Sequence, residues 1–199
     1  MPVATRSLDA LKAELERFGA ANDAATADRA HRMLNITRET GELLAVLVRA
    51  IAARRVLEIG TSNGYSTVWL AEAAGAIGGS VTTVEVAEHK VALATATCAQ
   101  SGLAPFITLV HDDAGRVLER SEPEAYDLVF LDAERHEYAG WWARLRAVLR
   151  KGGLLVVDNA TSHAEEMSPF ITLVRADPHF ETCLVPVGNG EFLAVKTVS

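Results

Sequence analysis

The sequence predicts an α/β sandwich: a mostly parallel sheet, helices on both faces, and one antiparallel strand near an edge. Three observations lead there. From Val56 onward, strand-like and helix-like segments alternate. The first strand-like run, 56–59, is short, largely apolar and ends at Gly60, as a buried strand does. The chain closes on two strand-like stretches around Gly188-Asn189-Gly190, which reads as a hairpin.

The elements follow in order. Leu8, Leu11, Leu15 and Phe18 recur at helical spacing, so 8–18 is a helix. Leu43, Leu44, Leu47, Val48 and Ile51 give 41–51 a buried helical face. The alternation then runs strand 56–59, helix 65–74, strand 80–86, helix 88–101, strand 106–111 and short helix 114–119. It continues as strand 126–131, helix 138–150, strand 154–157 and helix 168–176, closing on strands 180–187 and 192–197.

The length of 199 residues fits one domain, and 49% apolar residues can bury a core. No apolar run reaches the roughly 18–20 residues of a membrane span, and the start lacks a leader-like apolar stretch. A soluble, cytoplasmic protein without a membrane partner is expected. Cys98 and Cys183 have no metal-ligand spacing and read as reduced thiols in or near the core. The net charge of −7 argues against a broad nucleic-acid footprint. Arg54 and Arg55, and later Arg144, Arg146, Arg150 and Lys151, read as solvated helix faces and helix ends rather than a basic patch.

In such a fold, ligands sit at the carboxyl ends of the strands near the switch in strand order. The first strand ends Glu58-Ile59-Gly60-Thr61-Ser62-Asn63-Gly64-Tyr65-Ser66. Gly60 and Gly64 permit a sharp turn and close backbone approach, and the next helix offers free N–H groups to an anion. The spacing is not G-x-G-x-x-G, and Glu58 would repel a pyrophosphate, which disfavours a nucleotide-dependent oxidoreductase. Without further signals, this is equally a plain strand–turn–helix. Glu85 ends the second strand and is either a solvated acid or a ribose acceptor. Asp113 follows the third strand, as an adenine acceptor, a helix cap or both. Asp132, Asp158 and Asn159 follow the fourth and fifth strands. They are either loop-capping residues or three hard oxygen donors that suit Mg²⁺.

Together these segments resemble a known family. VLEIGTSNGYST, YDLVFLDAERHEY, GGLLVVDNA and PVGNGEFLAVK resemble the motifs of class I S-adenosylmethionine-dependent methyltransferases. The form is that of the metal-dependent catechol and caffeoyl-CoA O-methyltransferases. MLNITRETGELLAVL is similar to the segment that covers their cofactor, and the likeness runs from about Met33 to Lys196. The resemblance implies a Rossmann-like core of seven strands over 53–199, with N-terminal helices over 1–52 covering the cofactor. It implies that Asn35, Ile36, Glu58, Gly60, Thr61 and Ser66 surround the methionine part of the cofactor, Glu85 the ribose, and Asp113 and Ala114 the adenine. Asp132 lies beside the cofactor and, with Asp158 and Asn159, matches the metal-binding triplet. The implied reaction is in-line methyl transfer to an oxygen of a small catechol-like acceptor held by Mg²⁺ or a similar cation. Family members commonly form homodimers.

The sequence departs from the family at the acceptor side. Arg135 stands where the family has a catalytic Lys, and an arginine stays protonated and cannot act as a base. Ala160-Thr161-Ser162-His163 replaces LWxG, and the stretch from Asn159 to Asp177 is shorter than in plant members. Asp132, Arg135 and His163 are the candidate catalytic residues. His136 lies near them in sequence but reads, as His163 also can, as a surface histidine. Two other readings stay open: methyl transfer to a hydroxylated uridine in tRNA, and cofactor binding without methyl transfer.

Overall fold

A computed structural model describes residues 7–197; residues 1–6 of the segment read for a leader lie outside the described residues. The strands are β1 (Arg55–Ile59), β2 (Ser80–Glu85), β3 (Ile107–His111), β4 (Tyr126–Leu131), β5 (Leu149–Val157), β6 (Phe180–Val185) and β7 (Glu191–Lys196). They form a seven-stranded sheet in the order β3-β2-β1-β4-β5-β7-β6. The first five run parallel, and β7 is antiparallel to both β5 and β6. The order reverses between β1 and β4, which opens a crevice at their carboxyl ends.

The period of two along each strand sorts side chains to two cores. Val56, Leu128, Phe130, Leu154 and Val156 face one side, under α1 (Leu8–Ala25), α2 (Arg38–Ala50) and α3 (Tyr65–Gly75). Leu57, Ile59, Val129, Leu131, Leu155 and Val157 face the other, under α5 (Ala114–Arg120), α6 (Tyr138–Val148) and α7 (Ala164–Arg175). The remaining helix, α4 (Glu88–Ser101), packs beside α3, β2 and β3. Among the described residues, no helix is long and apolar enough to cross a membrane.

The N-terminal helices are fastened to α3 by polar contacts made in apolar surroundings. Buried Lys12 donates to Glu72 at 2.5 Å and stands 3.4 Å over the Trp69 ring. The Tyr65 hydroxyl donates to Glu16 at 2.6 Å, and Glu16 also pairs with Arg38 at 2.9 Å.

Several boundaries differ from the sequence expectation, and three have a clear local cause. The first helix runs on to Ala25, because its alanine-rich end has high helix propensity. The fifth strand begins at Leu149 rather than 154, since Leu149 already pairs with Tyr126. The ladder shifts register there, and Gly152, at φ +71°, bends the strand without ending it. The seventh helix begins at Ala164 rather than 168, with Pro169 inside it. Ser-Pro reads as a helix start, but the chain has already turned helical when it reaches them.

Cys98 is buried as expected, but Cys183 is exposed. It lies on edge strand β6, on the side away from buried Phe180, where Glu181 is also exposed. Arg55, Arg146 and Arg150 pair with acids of the chain while staying partly exposed, and Arg54, Arg144 and Lys151 are exposed. Asp127 accepts from the Arg54 and Arg55 N–H groups (2.9 and 2.8 Å), from Arg55 Nη2 (2.9 Å) and from Arg150 Nε (2.7 Å), and Arg146 pairs with Asp177. Burial alone would raise the Asp127 carboxyl, but these donors outweigh it and hold it at about 2.

A depressed carboxyl stabilises the fold above its unfolded pKa and loses that contribution as pH falls through its folded value. Asp127→Asn is expected to cost about 1–3 kcal/mol at pH 7. Urea unfolding should show the gap to the parent closing as pH falls from 4 towards 2.

Candidate active site

Backbone hydrogen bonds lace the carboxyl ends of the parallel strands together. The Gly60 N–H donates to Val84 O (3.0 Å), Asp112 N–H to Glu85 O (3.1 Å), Asp132 N–H to Ile59 O (3.0 Å) and Asp158 N–H to Leu131 O (3.1 Å). The acids that follow each strand are thereby brought to one edge. Gly60 sits where β1 meets β4. Its φ is +105°, and a Cβ there would stand 1.9 Å from the Asp132 carbonyl oxygen, so only glycine fits.

Behind this turn, Glu58 is fully buried. It accepts from the Ser66 hydroxyl (2.5 Å), the Thr67 hydroxyl (2.5 Å) and the Thr83 hydroxyl (2.6 Å), and the Thr61 and Thr83 hydroxyls lie 2.6 Å apart. Burial pushes the Glu58 carboxyl up to about 7 against those three hydrogen bonds. Glu58 and Ser66 thus bind each other. Beside them, the Asn63 amide nitrogen is buried without a hydrogen-bond partner.

Glu85 is nearly buried and takes three backbone donors: Ser62 N–H at 2.9 Å, Val86 N–H at 3.0 Å and Ala87 N–H at 2.9 Å. Ser62, at φ +50°, also donates its hydroxyl to Met33 O at 2.7 Å, which ties the covering segment to the turn. Asp23 holds that segment from the other side by accepting from Met33 N–H (2.7 Å) and Leu34 N–H (2.9 Å). Asn35 donates to Leu15 O at 3.0 Å, while its carbonyl oxygen is buried without a partner. Ile36 is buried against the α1–α3 core. Ser62 and Asp23 were not among the sequence candidates, because their contacts lie between segments far apart in the chain.

Asp113 caps α5 by accepting from Arg116 N–H at 3.0 Å, and it remains exposed, with Ala114 buried beside it. Asp132, Asp158 and Asn159 converge. The Asn159 amide nitrogen lies 3.1 Å from Asp132 Oδ1 and 3.0 Å from Asp158 Oδ2. Asn159, at φ +68°, also donates its backbone N–H to Asp158 at 2.6 Å. Burial raises the carboxyls of both Asp132 and Asp158, and their mutual repulsion with Glu58 raises Asp132 further. Among the described residues, no three His, Cys, Asp or Glu side chains converge as metal ligands; this set is two carboxylates and an amide.

A further acid belongs to this cluster. Glu191 is fully buried, accepts from the Thr40 hydroxyl at 2.9 Å and is hydrogen-bonded to Asp158. Burial, then Asp158, pushes its carboxyl up to about 9, so it carries the shared proton at neutral pH. The sequence reading put residue 191 in the hairpin loop, which concealed it. The available signal was an acid at the first inward position of a strand.

Arg135 is only 9% exposed and donates from Nε to Glu166 at 2.8 Å, which links the loop after β4 to α7. His163 stands at the start of α7 with Nδ1 2.9 Å from the Ser162 hydroxyl, close enough to influence the charge of Asp158 and Glu166. His136 is 73% exposed and pairs with Glu137 at 3.1 Å, so it is the surface histidine. A cavity of about 700 Å³ lies at the opposite ends of the strands, beside Arg54, Arg55 and Asp127, away from all these acids.

A carboxyl raised by folding contributes most below its unfolded pKa, and that contribution is lost as pH rises through the folded value. For Glu191 the window runs from the ordinary glutamate range to about 9. Glutamine can make the same two hydrogen bonds without a proton to lose. Glu191→Gln is therefore expected to be more stable than the parent at pH 8 by about 1–3 kcal/mol in metal-free buffer, with the difference vanishing near pH 4. A urea midpoint at pH 8 no higher than the parent's would contradict this.

Comparison with known proteins places the chain. Residues 15–197 match a family model described as O-methyltransferase. A catechol O-methyltransferase of Mycobacterium tuberculosis is 38% identical over 143 residues, covering 70% of this chain and 61% of that protein. This chain thus matches about three-fifths of that relative's length. A protein of Mycolicibacterium smegmatis named as an O-methyltransferase is 32% identical over 174 residues, covering 81% of this chain and 82% of that one. Among solved structures, cofactor-bound Rv0187 from MTB is similar, with TM-score 0.78 and 28% identity over 93% of this chain and 90% of that one. A Klebsiella pneumoniae structure described as an O-methyltransferase gives TM-score 0.78 and 28% identity over 92% of this chain and 90% of that one. The chain belongs to the O-methyltransferase family.

Proposed function

We propose that this protein is an S-adenosylmethionine-dependent O-methyltransferase that acts on a small catechol-like diol with the help of a divalent cation, Mg²⁺ by its donor chemistry. One observation carries the reading: acids crowd the carboxyl ends of the strands with little cationic charge of the chain's own to balance them. Arg135 is the nearest guanidinium, and it is engaged with Glu166. A sulfonium with an ammonium, and a cation beside it, would supply the missing positive charge.

The residues fit both groups. An N–H donor bridging Asp132 and Asp158 marks the point of strongest negative potential between them. A half-turn of the Asn159 amide would bring its oxygen to that point and complete a set of three hard donors. Bound there, the cation would act as a Lewis acid and favour the ionised form of one acceptor hydroxyl.

The donor side rests on the covering segment and the glycine turn. Asn35, Ile36, Gly60, Thr61 and Ser66 would enclose the methionine part, with buried Glu58 setting the charge behind it. Glu85 would accept from the ribose hydroxyls, and Asp113 with Ala114 would meet the adenine. On the acceptor side, Arg135 would stabilise the negative oxygen by charge and His163 would receive its proton. Such a site works mostly by holding oxygen and methyl in line. Residues 1–199 would act as one domain and pair as a homodimer through α1 and the closing hairpin.

Labelled-methyl transfer over catechols, hydroxycinnamates and bulk tRNA, with Mg²⁺ or with chelator, tests the reading. Methylated diol only in the presence of Mg²⁺ is expected, and Asp158→Asn should lower kcat/KM by at least about 100-fold. Transfer unaffected by chelator would remove the cation from the mechanism. For His163→Ala, a lower kcat and an altered acidic limb of the pH profile are expected; an unchanged profile would leave the proton to solvent.

A further inference from the structure

Asp158 is buried and has two side-chain hydrogen-bond partners, Asn159 and Glu191. A half-turn of the Asn159 amide toward a cation takes its N–H away from Asp158 Oδ2, so that partner is lost when the cation binds. Glu191 is the partner that stays.

Three features fix Glu191 in place. The β5–β7 ladder pairs Val157 with Phe192, which sets Asp158 level with Glu191 one step further on. Side chains directly opposite across an antiparallel pair are close neighbours. The pairing continues past the strand ends, where the Ala160 N–H donates to Gly190 O (2.8 Å) and the Thr161 N–H to Asn189 O (3.1 Å). The Thr40 hydroxyl donates to Glu191 Oε1 at 2.9 Å, and both residues are fully buried. Among the described residues Glu191 Oε2 has no other donor, which leaves the Asp158 carboxyl as its partner. Thr40 is held in turn. Thr37 caps α2 by accepting from the Thr40 N–H at 3.2 Å, and the hairpin lies against both hydroxyls because Gly188 has no side chain to overlap them.

Replacing a buried polar pair of this kind by apolar side chains is commonly neutral or stabilising, so packing alone gives no reason for it. We infer that Glu191, anchored by Thr40, is a positioning residue for Asp158: it holds that carboxylate in the orientation a divalent cation needs. Neither Glu191 nor Thr40 touches the cation or the acceptor. The assignment rests on the cation reading of Asp132, Asp158 and Asn159 and adds the support behind it. It concerns geometry rather than charge, since glutamine at position 191 makes the same two hydrogen bonds.

The test is titration of the full chain at pH 7 with Mn²⁺, a hard cation that takes the same oxygen ligands as Mg²⁺, with the free ion counted by its paramagnetic resonance. Thr40→Val and Glu191→Leu remove the two hydrogen bonds and should each bind Mn²⁺ about tenfold more weakly than the wild type. Thr40→Ser and Glu191→Gln keep them and should bind like the wild type. Thr40→Val should also raise the Mg²⁺ concentration for half-maximal methyl transfer by about tenfold, and Thr40→Ser should not. If Glu191→Leu fails to fold, the two Thr40 variants decide. Wild-type affinity in Thr40→Val and Glu191→Leu overturns the positioning role while the cation site stands. Serine and glutamine variants as weak as valine and leucine overturn it too, because packing and not the hydrogen bonds would then be responsible. If the wild type binds no Mn²⁺, or Asp158→Asn binds it as tightly, the cation reading falls and this one with it.

Discussion

The close contact of Gly60 with the Asp132 carbonyl is the constraint on which the site depends. Where β1 and β4 meet, the turn after β1 passes against the backbone after β4 with no room for a side chain. Because the contact is backbone to backbone, no rotamer change can relieve it. It fixes the height of Asp132 relative to the glycine turn, and the flanking strand-end hydrogen bonds carry the same level to Asp112 and Asp158. A sheet built this way gathers acids because each loop begins at the same edge.

The gathered acids are then stabilised in different ways. Glu85 accepts from three backbone N–H groups. Glu58 is surrounded by three hydroxyls, which soften but do not cancel the effect of burial. Glu191 keeps its proton and shares it with Asp158. Asp132 and Asp158 are bridged only by the Asn159 amide, a weak answer to two neighbouring carboxylates. The position with the poorest internal compensation is the one where an external cation has most to offer. The same arrangement couples the two ends of the chain, since Thr40 of α2 and Glu191 of β7 meet behind Asp158.

Most of the fold was legible because its signals are local. Apolar periodicity located the α-helices and strands of the described residues but not the short 3₁₀ turns at 29–31, 104–106 and 135–137, and the glycine between strand and helix located the turn. The errors fell where a tertiary contact overrode local chemistry. Tyr126 recruited Leu149 into β5, and α7 started before its Ser-Pro pair. Site residues followed the same division. Acids directly after strands were visible from position alone, as were Gly60 and the Asp132, Asp158 and Asn159 set. Glu191, Ser62 and Asp23 were not, since each acts on a partner distant in sequence.

By itself the sequence determined which segments form the sheet, the glycine turn and the family of chemistry, because each is written in spacing along a single segment; the strand order that sets the switch point is tertiary. Only the tertiary structure decided how the charges are shared. It buried Glu58 against Ser66, turned Glu191 into the proton-bearing partner of Asp158, engaged Arg135 with Glu166 and sent His136 to the surface. Electrostatics in a protein depends on burial and on neighbours at a few ångströms, and neither is defined until distant segments meet.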